Sequence, residues 1–184
     1  QKIDIGTIKS SGGTGHKGER FFVNVADFGL GAEVIRRVSS VPVEKRGRLF
    51  YYKGFVSTLL GYRPKRCKVV IDGRETIQGN FLIGAVANGG IFGGGMIIAP
   101  NARINDGYFD LVLIEEMNKI DTIWSSRLLY SGRIDRHHKV RTIRAKKISV
   151  TSDDNVHLEC DGESGGTLPA EFEIREKAIN LRFQ

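Results

Sequence analysis

The sequence predicts a mainly β protein, a two-sheet β-sandwich with two or three packed helices. Three observations lead to this class. Most apolar stretches are short, rich in β-branched and aromatic residues, and separated by glycine-containing turns. Only a few stretches repeat apolar residues at helical spacing. Strands and helices do not alternate regularly, so a parallel sheet built from βαβ units is not indicated. The 184 residues suffice for one domain with a real core.

Each element follows from local pattern. KIDIGTI (2–8) alternates as a strand, SSGGTGHKGE (10–19) is a flexible connection, and RFFVNVADFG (20–29) is a second strand, giving a long-looped hairpin. GAEVIRRVSS (31–40) is a short helix candidate. In 47–60, Leu49, Tyr52, Phe55, Val56 and Leu59 recur at helical spacing, with Pro64 beyond the end. RCKVVID (66–72) and TIQGNFLIGAVANG (76–89) are strands joined at Asp72–Gly73, and the second is apolar enough in its middle to be central. Residues 89–107 read as a long glycine-rich loop, and YFDLVLI (108–114) as a strand. Ile120, Ile123, Trp124 and Leu128 mark the apolar stripe of a helix over 118–131. The remainder is strand-like: 139–152, 155–161, 170–176 and 178–183. There is no internal repeat.

Composition bounds the function. Hydrophobic content of 40% and charged content of 27% describe a soluble globular chain. No apolar run approaches the roughly 20 residues of a membrane-spanning helix, and no signal peptide is visible. Cys67 and Cys160 fit no metal or disulfide spacing, which points to a reducing cytoplasm. The first residue is Gln, so the text is expected to start inside a longer protein. The net charge of +7 is clustered. One group is Lys45, Arg46, Arg48, Arg63, Lys65, Arg66 and Lys68; another runs from Arg133 to Lys147, beside His137 and His138. Such faces suit nucleotide phosphates, nucleic acid or an anionic leaflet, or are simply solvated. The aromatics sit mostly at core-like positions and are not interleaved with cations, so no nucleic-acid stacking platform is expected.

Several motifs carry candidate chemistry. Asp27-Phe28-Gly29 looks like a protein-kinase magnesium motif, but the other kinase parts are missing, and a strand ending in a glycine turn explains it. NGGIFGGGMIIAP (88–100) can offer backbone N–H groups to an anion, yet it is neither a P-loop nor a dinucleotide fingerprint. Glycine there also permits close backbone packing. Asn105-Asp106-Gly107 is a turn whose carboxylate, beside loop carbonyls, can hold a hard cation. Asp161-Gly162-Glu163 reads as a turn, a metal site, or a general base with its neighbour; residues two apart on an extended chain would face one side. His137 and His138, being adjacent, would point apart on a surface loop.

In order along the chain, FFVNVADFGLGAEV, RLFYYKG, VVIDG, VANGGIFGGGMIIAPNARINDGYFDLVLI and ECDGESGGTLPAEFEI resemble the diacylglycerol kinase-like lipid kinases, most closely the soluble bacterial diacylglycerol kinases. The resemblance spans nearly the whole chain. It implies the C-terminal β-sandwich domain of the NAD kinase and diacylglycerol kinase-like superfamily. The Gly-Gly-Asp-Gly-Thr motif of that family's N-terminal ATP-binding α/β domain does not occur here, so that domain is expected to precede Gln1.

The resemblance also implies site residues. Asp161 and Glu163 would be the catalytic carboxylates, with Glu163 favoured as proton acceptor. Mg²⁺ would sit on the Asp106 side chain and the main-chain carbonyls of Arg103 and Tyr108. Gly93, Gly94 and Gly95 would lie near the substrate. Asp27 stands where the family usually has a small residue and carries no role. ATP is the implied co-substrate, a lipid such as diacylglycerol the acceptor, and the anionic inner face of the membrane the place of work, without nucleic acid. The oligomeric state, including a homodimer, stays open. A non-enzymatic module binding anionic lipid, or a kinase for a sphingoid base or NAD, are the competing expectations.

Overall fold

The computed structural model describes residues 1–11, 19–39, 41 and 47–182, without the side chains of Ser11 and Arg48. Most of the expected connection 10–19, together with Lys45, Arg46 and Phe183, therefore lies outside the described residues. β1 (Lys2–Ser11) pairs with β2 (Glu19–Phe22) as the expected hairpin. β3 (Val25–Gly29) leads directly into α1 (Leu30–Val38), and α2 (Arg48–Gly61) follows. β4 (Lys65–Ile71) and β5 (Glu75–Ala87) form a hairpin around Asp72–Gly73, and β6 (Ile91–Phe92) and β7 (Met96–Ile97) form a small separate one. Then come β8 (Phe109–Glu115), α3 (Lys119–Tyr130), a 3₁₀ turn at Ile134–Arg136, β9 (Val140–Ala145), β10 (Lys147–Thr151), β11 (His157–Cys160) and β12 (Glu163–Asn180).

The pairings among described residues are antiparallel. β4, β5, β3, β11, β12 and β10 close on one another, because β12 pairs with both β11 and β10. β8 and β9 extend from the other edge of β5, and β1 and β2 from the other edge of β12. The expected two-layer β-sandwich is thus present, with its layers joined through the long strands β5 and β12.

Strand alternation divides the core in two. On β8, Phe109, Leu111 and Leu113 enter the space between the sheets, where Phe22, Phe28, Val69, Ile148 and Phe172 also pack. Val112 and Ile114 face the other way, against Leu30, Val34, Phe55, Leu59 and Leu129 of the helices. β5 is buried on both faces from Phe81 to Ala87, as its apolar run predicts.

Four sequence expectations are corrected. The strand over 20–29 breaks at Val23 and Asn24, whose N–H groups go to the Asp161 carboxylate instead of a neighbouring strand. The strand over 139–152 breaks at Lys146, where the Lys146 and Lys147 N–H groups donate to Asp72 Oδ1 at 2.9 and 2.7 Å. Residues 170–176 and 178–180 belong to one strand that already starts at Glu163. The long loop at 89–107 contains the β6–β7 hairpin.

The helices hold the largest surprise. Ile120 and Trp124, expected on the buried stripe of α3, are 69% and 60% exposed; Thr122, Ser126 and Leu129 are buried instead. The Thr122 and Ser126 hydroxyls donate to the Asn118 and Ile123 carbonyls within the helix, so both can be buried cheaply. On α2, Phe55 and Leu59 are buried as expected, while Leu49 is exposed. His137 and His138 do not point apart but stack, ring centroids 4.7 Å apart, where the chain leaves a 3₁₀ turn.

Candidate functional site

The Asp161-Gly162-Glu163 triplet is the turn of a tight hairpin. Cys160 and Glu163 are register partners, so Asp161 and Gly162 are its two central residues. Both have positive φ, 48° and 87°, as a two-residue hairpin turn with matching twist requires. The turn separates the two carboxylates. Asp161 Oδ1 accepts the N–H groups of Asn24 and Val25, both at 3.0 Å, and Oδ2 accepts that of Val23 at 2.7 Å. Glu163 stays exposed and lines a cavity of about 360 Å³ with Ile35, Arg36 and His157. The expectation that both face one side of an extended chain is therefore corrected.

A second cavity, about 220 Å³, opens on the other side of Gly162 and is lined by Asn24, Tyr51, Phe92, Gly93, Glu159 and Asp161. Asparagines tie the glycine-rich loop to this wall. Asn24 Nδ2 donates to the Ile91 carbonyl, and the amides of Asn88 and Gly89 donate to the Asn24 carbonyl at 2.9 and 2.7 Å. Asp161 thus braces the 23–25 segment, which holds the glycine loop in turn. Gly93, Gly94 and Gly95 all take positive φ at the tip of that loop, and Gly93 reaches the cavity.

Beneath the cavity lies an acid pair that the sequence reading missed. Asp27 and Glu159 are directly opposite on β3 and β11, and are 0% and 2% exposed. Gly31 at the start of α1 makes room for them: a Cβ there would meet Asp27 Oδ2 at 2.2 Å. The Ala32 amide and the Glu159 carboxyl face Asp27, yet neither Asp27 oxygen has a hydrogen bond of good geometry. Glu159 Oε2 accepts the Gly162 N–H at 2.8 Å, which anchors the hairpin turn from below. Burial pushes both carboxyls well above the usual carboxylate range. The Asp27 charge raises Glu159 further, whereas the contact with Glu159 lowers Asp27, so Glu159 holds its proton the more firmly of the two.

The Asp106 turn lies at the same end of the sheet and does not line this cavity. The row Asp110–Ala87–Val25–Asp161 crosses three inter-strand steps, about 14 Å. Asp4, buried on β1, organises the turn: it accepts the Gly107 N–H at 2.8 Å and the Lys177 N–H at 2.7 Å. Asp106 accepts the Tyr108 N–H and is ion-paired with Arg144, whose guanidinium lies 4.3 Å from the centre of the Tyr108 ring. Lys146 sits over the same ring, 4.9 Å away, and pairs with Glu176. An Asp106 carboxylate with the Arg103 and Tyr108 carbonyls is the oxygen set a hard cation wants. Here the carboxylate is already engaged by a guanidinium, so the turn as folded does not fit a resident Mg²⁺. Among the described residues no cluster of three or more acidic, His or Cys side chains is placed to hold a metal.

The family described as the YegS C-terminal NAD kinase beta sandwich-like domain matches residues 24–183. The chain belongs to this family. Diacylglycerol kinase of Bacillus subtilis is 30% identical over 171 residues, covering 92% of this chain and 53% of that protein. Diacylglycerol kinase of Mycobacterium tuberculosis is 27% identical over 181 residues, covering 98% and 57%. The chain spans about half the length of the curated relatives it matches. A crystal structure of a putative diacylglycerol kinase from Bacillus anthracis superposes with a TM-score of 0.69 at 19% identity, over 96% of this chain and 54% of that one, and shows the same fold.

Within this YegS-type domain, Asp161, Gly162 and Gly93 meet at one cavity and Glu163 lines the adjacent one. Asp106, Arg103 and Tyr108 belong to a separate turn. Asp4, Asp27 and Glu159 were missed. The signal for Asp27 and Glu159 was an acid in the middle of an otherwise apolar short strand, VADFG and HLEC.

Proposed function

We propose that the chain is the C-terminal domain of an ATP-dependent kinase that phosphorylates a hydroxyl of a membrane lipid, with diacylglycerol as acceptor and phosphatidic acid as product. The observation that carries this reading is likeness over nearly the whole chain to proteins named diacylglycerol kinase. The local geometry supports it. Glu163 is an exposed carboxylate beside two cavities, and among the described residues nothing is ion-paired or hydrogen-bonded to it. Both Asp161 oxygens are taken up by backbone N–H groups, which favours Glu163 as the proton acceptor and gives Asp161 the task of setting the turn.

In the proposed reaction the lipid hydroxyl oxygen attacks the γ-phosphorus of ATP. Its proton passes to the Glu163 carboxylate, and the bond to the β–γ bridging oxygen breaks to release ADP. ATP and the Mg²⁺ it brings supply the phosphoryl group and offset its charge; an N-terminal domain of the same protein would hold them. The place of work is the cytoplasmic face of the membrane. The proposed contact with the membrane is peripheral; no described helix is long and apolar enough to cross a bilayer.

The test is phosphate transfer from radiolabelled ATP by the longer protein to diacylglycerol, monoacylglycerol, sphingosine and phosphatidylglycerol in mixed micelles. One lipid should be labelled, and Glu163→Gln should lower kcat by about 10²–10⁴-fold. Transfer at near wild-type rate in Glu163→Gln removes Glu163 from the reaction. No labelled lipid removes the lipid-kinase reading.

A further inference from the structure

The outward faces of α2 and α3 carry large apolar side chains in the open, set among cations. On α3, Ile120 and Trp124 are one turn apart and 69% and 60% exposed. On α2, Leu60 is 59% exposed, and Lys119 Nζ donates to the Leu60 carbonyl, which sets the end of α2 beside the start of α3. Cations frame this apolar surface. The Arg127 guanidinium lies 4.1 Å from the centre of the Trp124 ring, Lys119 adjoins Leu60, and Lys53 shares the outward stripe of α2 with Leu60. α2 contains no acidic residue, and the one acid on α3, Asp121, is bonded to the Asn118 side chain.

We propose that this face is a membrane-docking surface that seats on a bilayer carrying anionic headgroups, an inference that rests on the lipid-kinase reading above. Tryptophan and isoleucine on a helix that is cationic at its edges match the apolar-to-headgroup boundary of a leaflet. Each Lys or Arg near an anionic surface strengthens binding by about fivefold. A second copy of the chain is a poorer occupant: a twofold contact would gather Lys53, Lys119 and Arg127 of both copies into one interface, with Asp121 the one acid that α2 and α3 of each copy supply. Position also favours the bilayer. α2 begins near Tyr51, which lines the cavity at Asp161, and ends at Leu60 in the patch. A helix of 14 residues is about 21 Å long, so docking brings the leaflet within one helix length of the proposed acceptor site.

The experiment is co-sedimentation of the full-length protein with vesicles of phosphatidylcholine alone or mixed with phosphatidylglycerol. It compares wild type, Ile120→Ser/Trp124→Ser and Lys119→Gln/Arg127→Gln. Wild type should bind the mixed vesicles, and each double variant should bind at least about tenfold more weakly. The Ile120 and Trp124 side chains are exposed, so the thermal midpoint of that variant should not fall; the cation variant also loses the Lys119 bond to the Leu60 carbonyl, so its binding is compared at a temperature well below its own measured midpoint. Vesicle binding is read without turnover, so failure of the kinase reading and failure of the docking face are separate results. Equal binding by wild type and both variants, or no binding by wild type, overturns the proposal. So does a self-associated wild type that the apolar variant turns monomeric while vesicle binding is unchanged.

Discussion

Replacing Glu159 by Gln removes a titrating carboxyl from the interior and leaves a side chain of the same shape. Gln can still accept the Gly162 N–H with its carbonyl and can turn its amide toward Asp27, which the Glu159 carboxyl faces now. At pH 5 the variant should be about as stable as wild type. The difference appears as pH rises. Unfolded, Glu159 loses its proton near pH 4. Folded, burial and the Asp27 charge hold that proton well above this range. The native state therefore binds more protons than the unfolded state, and wild-type stability declines as pH rises from the unfolded pKa toward the folded one. Each extra proton corresponds to about 1.4 kcal/mol per pH unit, or about 2.7 kcal/mol between pH 5 and 7. For a chain of this size that lowers Tm by roughly 5–10 °C. Glu159→Gln should remove the Glu159 share of this decline and leave the share of Asp27, whose carboxyl burial also holds above the usual range. Thermal and urea unfolding of both proteins at pH 5, 6, 7 and 8 reads the difference directly. Parallel pH profiles would refute the proton held on Glu159, and a variant destabilised equally at every pH would mean that Glu159 acts only through packing.

Three further outcomes follow from the same contacts. Asp161→Asn turns one carboxylate oxygen into an NH₂ group facing a backbone N–H, so urea unfolding should show a loss of about 1–3 kcal/mol; unchanged stability would mean the 23–25 segment holds itself. Gly31→Ala sets two effects against each other: helix propensity favours Ala by up to about 1 kcal/mol, while a Cβ 2.2 Å from the Asp27 carboxyl must displace it. We expect net destabilisation of about 2 kcal/mol or more, relieved by adding Asp27→Ala; a stabilised Gly31→Ala would place Asp27 elsewhere. Millimolar Mg²⁺ should leave Tm within about 1 °C, because Arg144 already occupies Asp106, and a rise of several degrees, lost in Asp106→Ala, would restore the turn as a cation site.

Most of the fold was legible because burial and alternation coincide on its strands. β8 reads as alternating core residues for two different cores, and β5 reads as continuous apolar sequence because both of its faces are covered. Strand breaks were illegible where a distant carboxylate captures backbone N–H groups. Asp161 interrupts 20–29 across 136 residues or more, and Asp72 interrupts 139–152 from across the sheet. The α3 stripe misled for another reason. Helical spacing of Ile120 and Trp124 identifies a face, and it does not say whether protein or some other partner covers that face.

The site divides along the same line. The Asp-Gly pair at 161–162 announces a hairpin turn through its φ requirement, and the resemblance to lipid kinases singles out Glu163 beside it for the proposed role. Nothing local shows that Asp161 spends both oxygens on three amides of the 23–25 segment, and this is what favours Glu163 over Asp161 in the proposed reaction: a group whose lone pairs are already committed is a weaker proton acceptor than an exposed one. The acid pair needs still more than local pattern. Asp27 and Glu159 lie far apart in sequence, and only the β3–β11 register makes them neighbours. Two buried acids in direct opposition cannot both stay charged, so the strand pairing itself requires a retained proton. Through the Glu159–Gly162 hydrogen bond, that proton bears on the turn that presents Glu163.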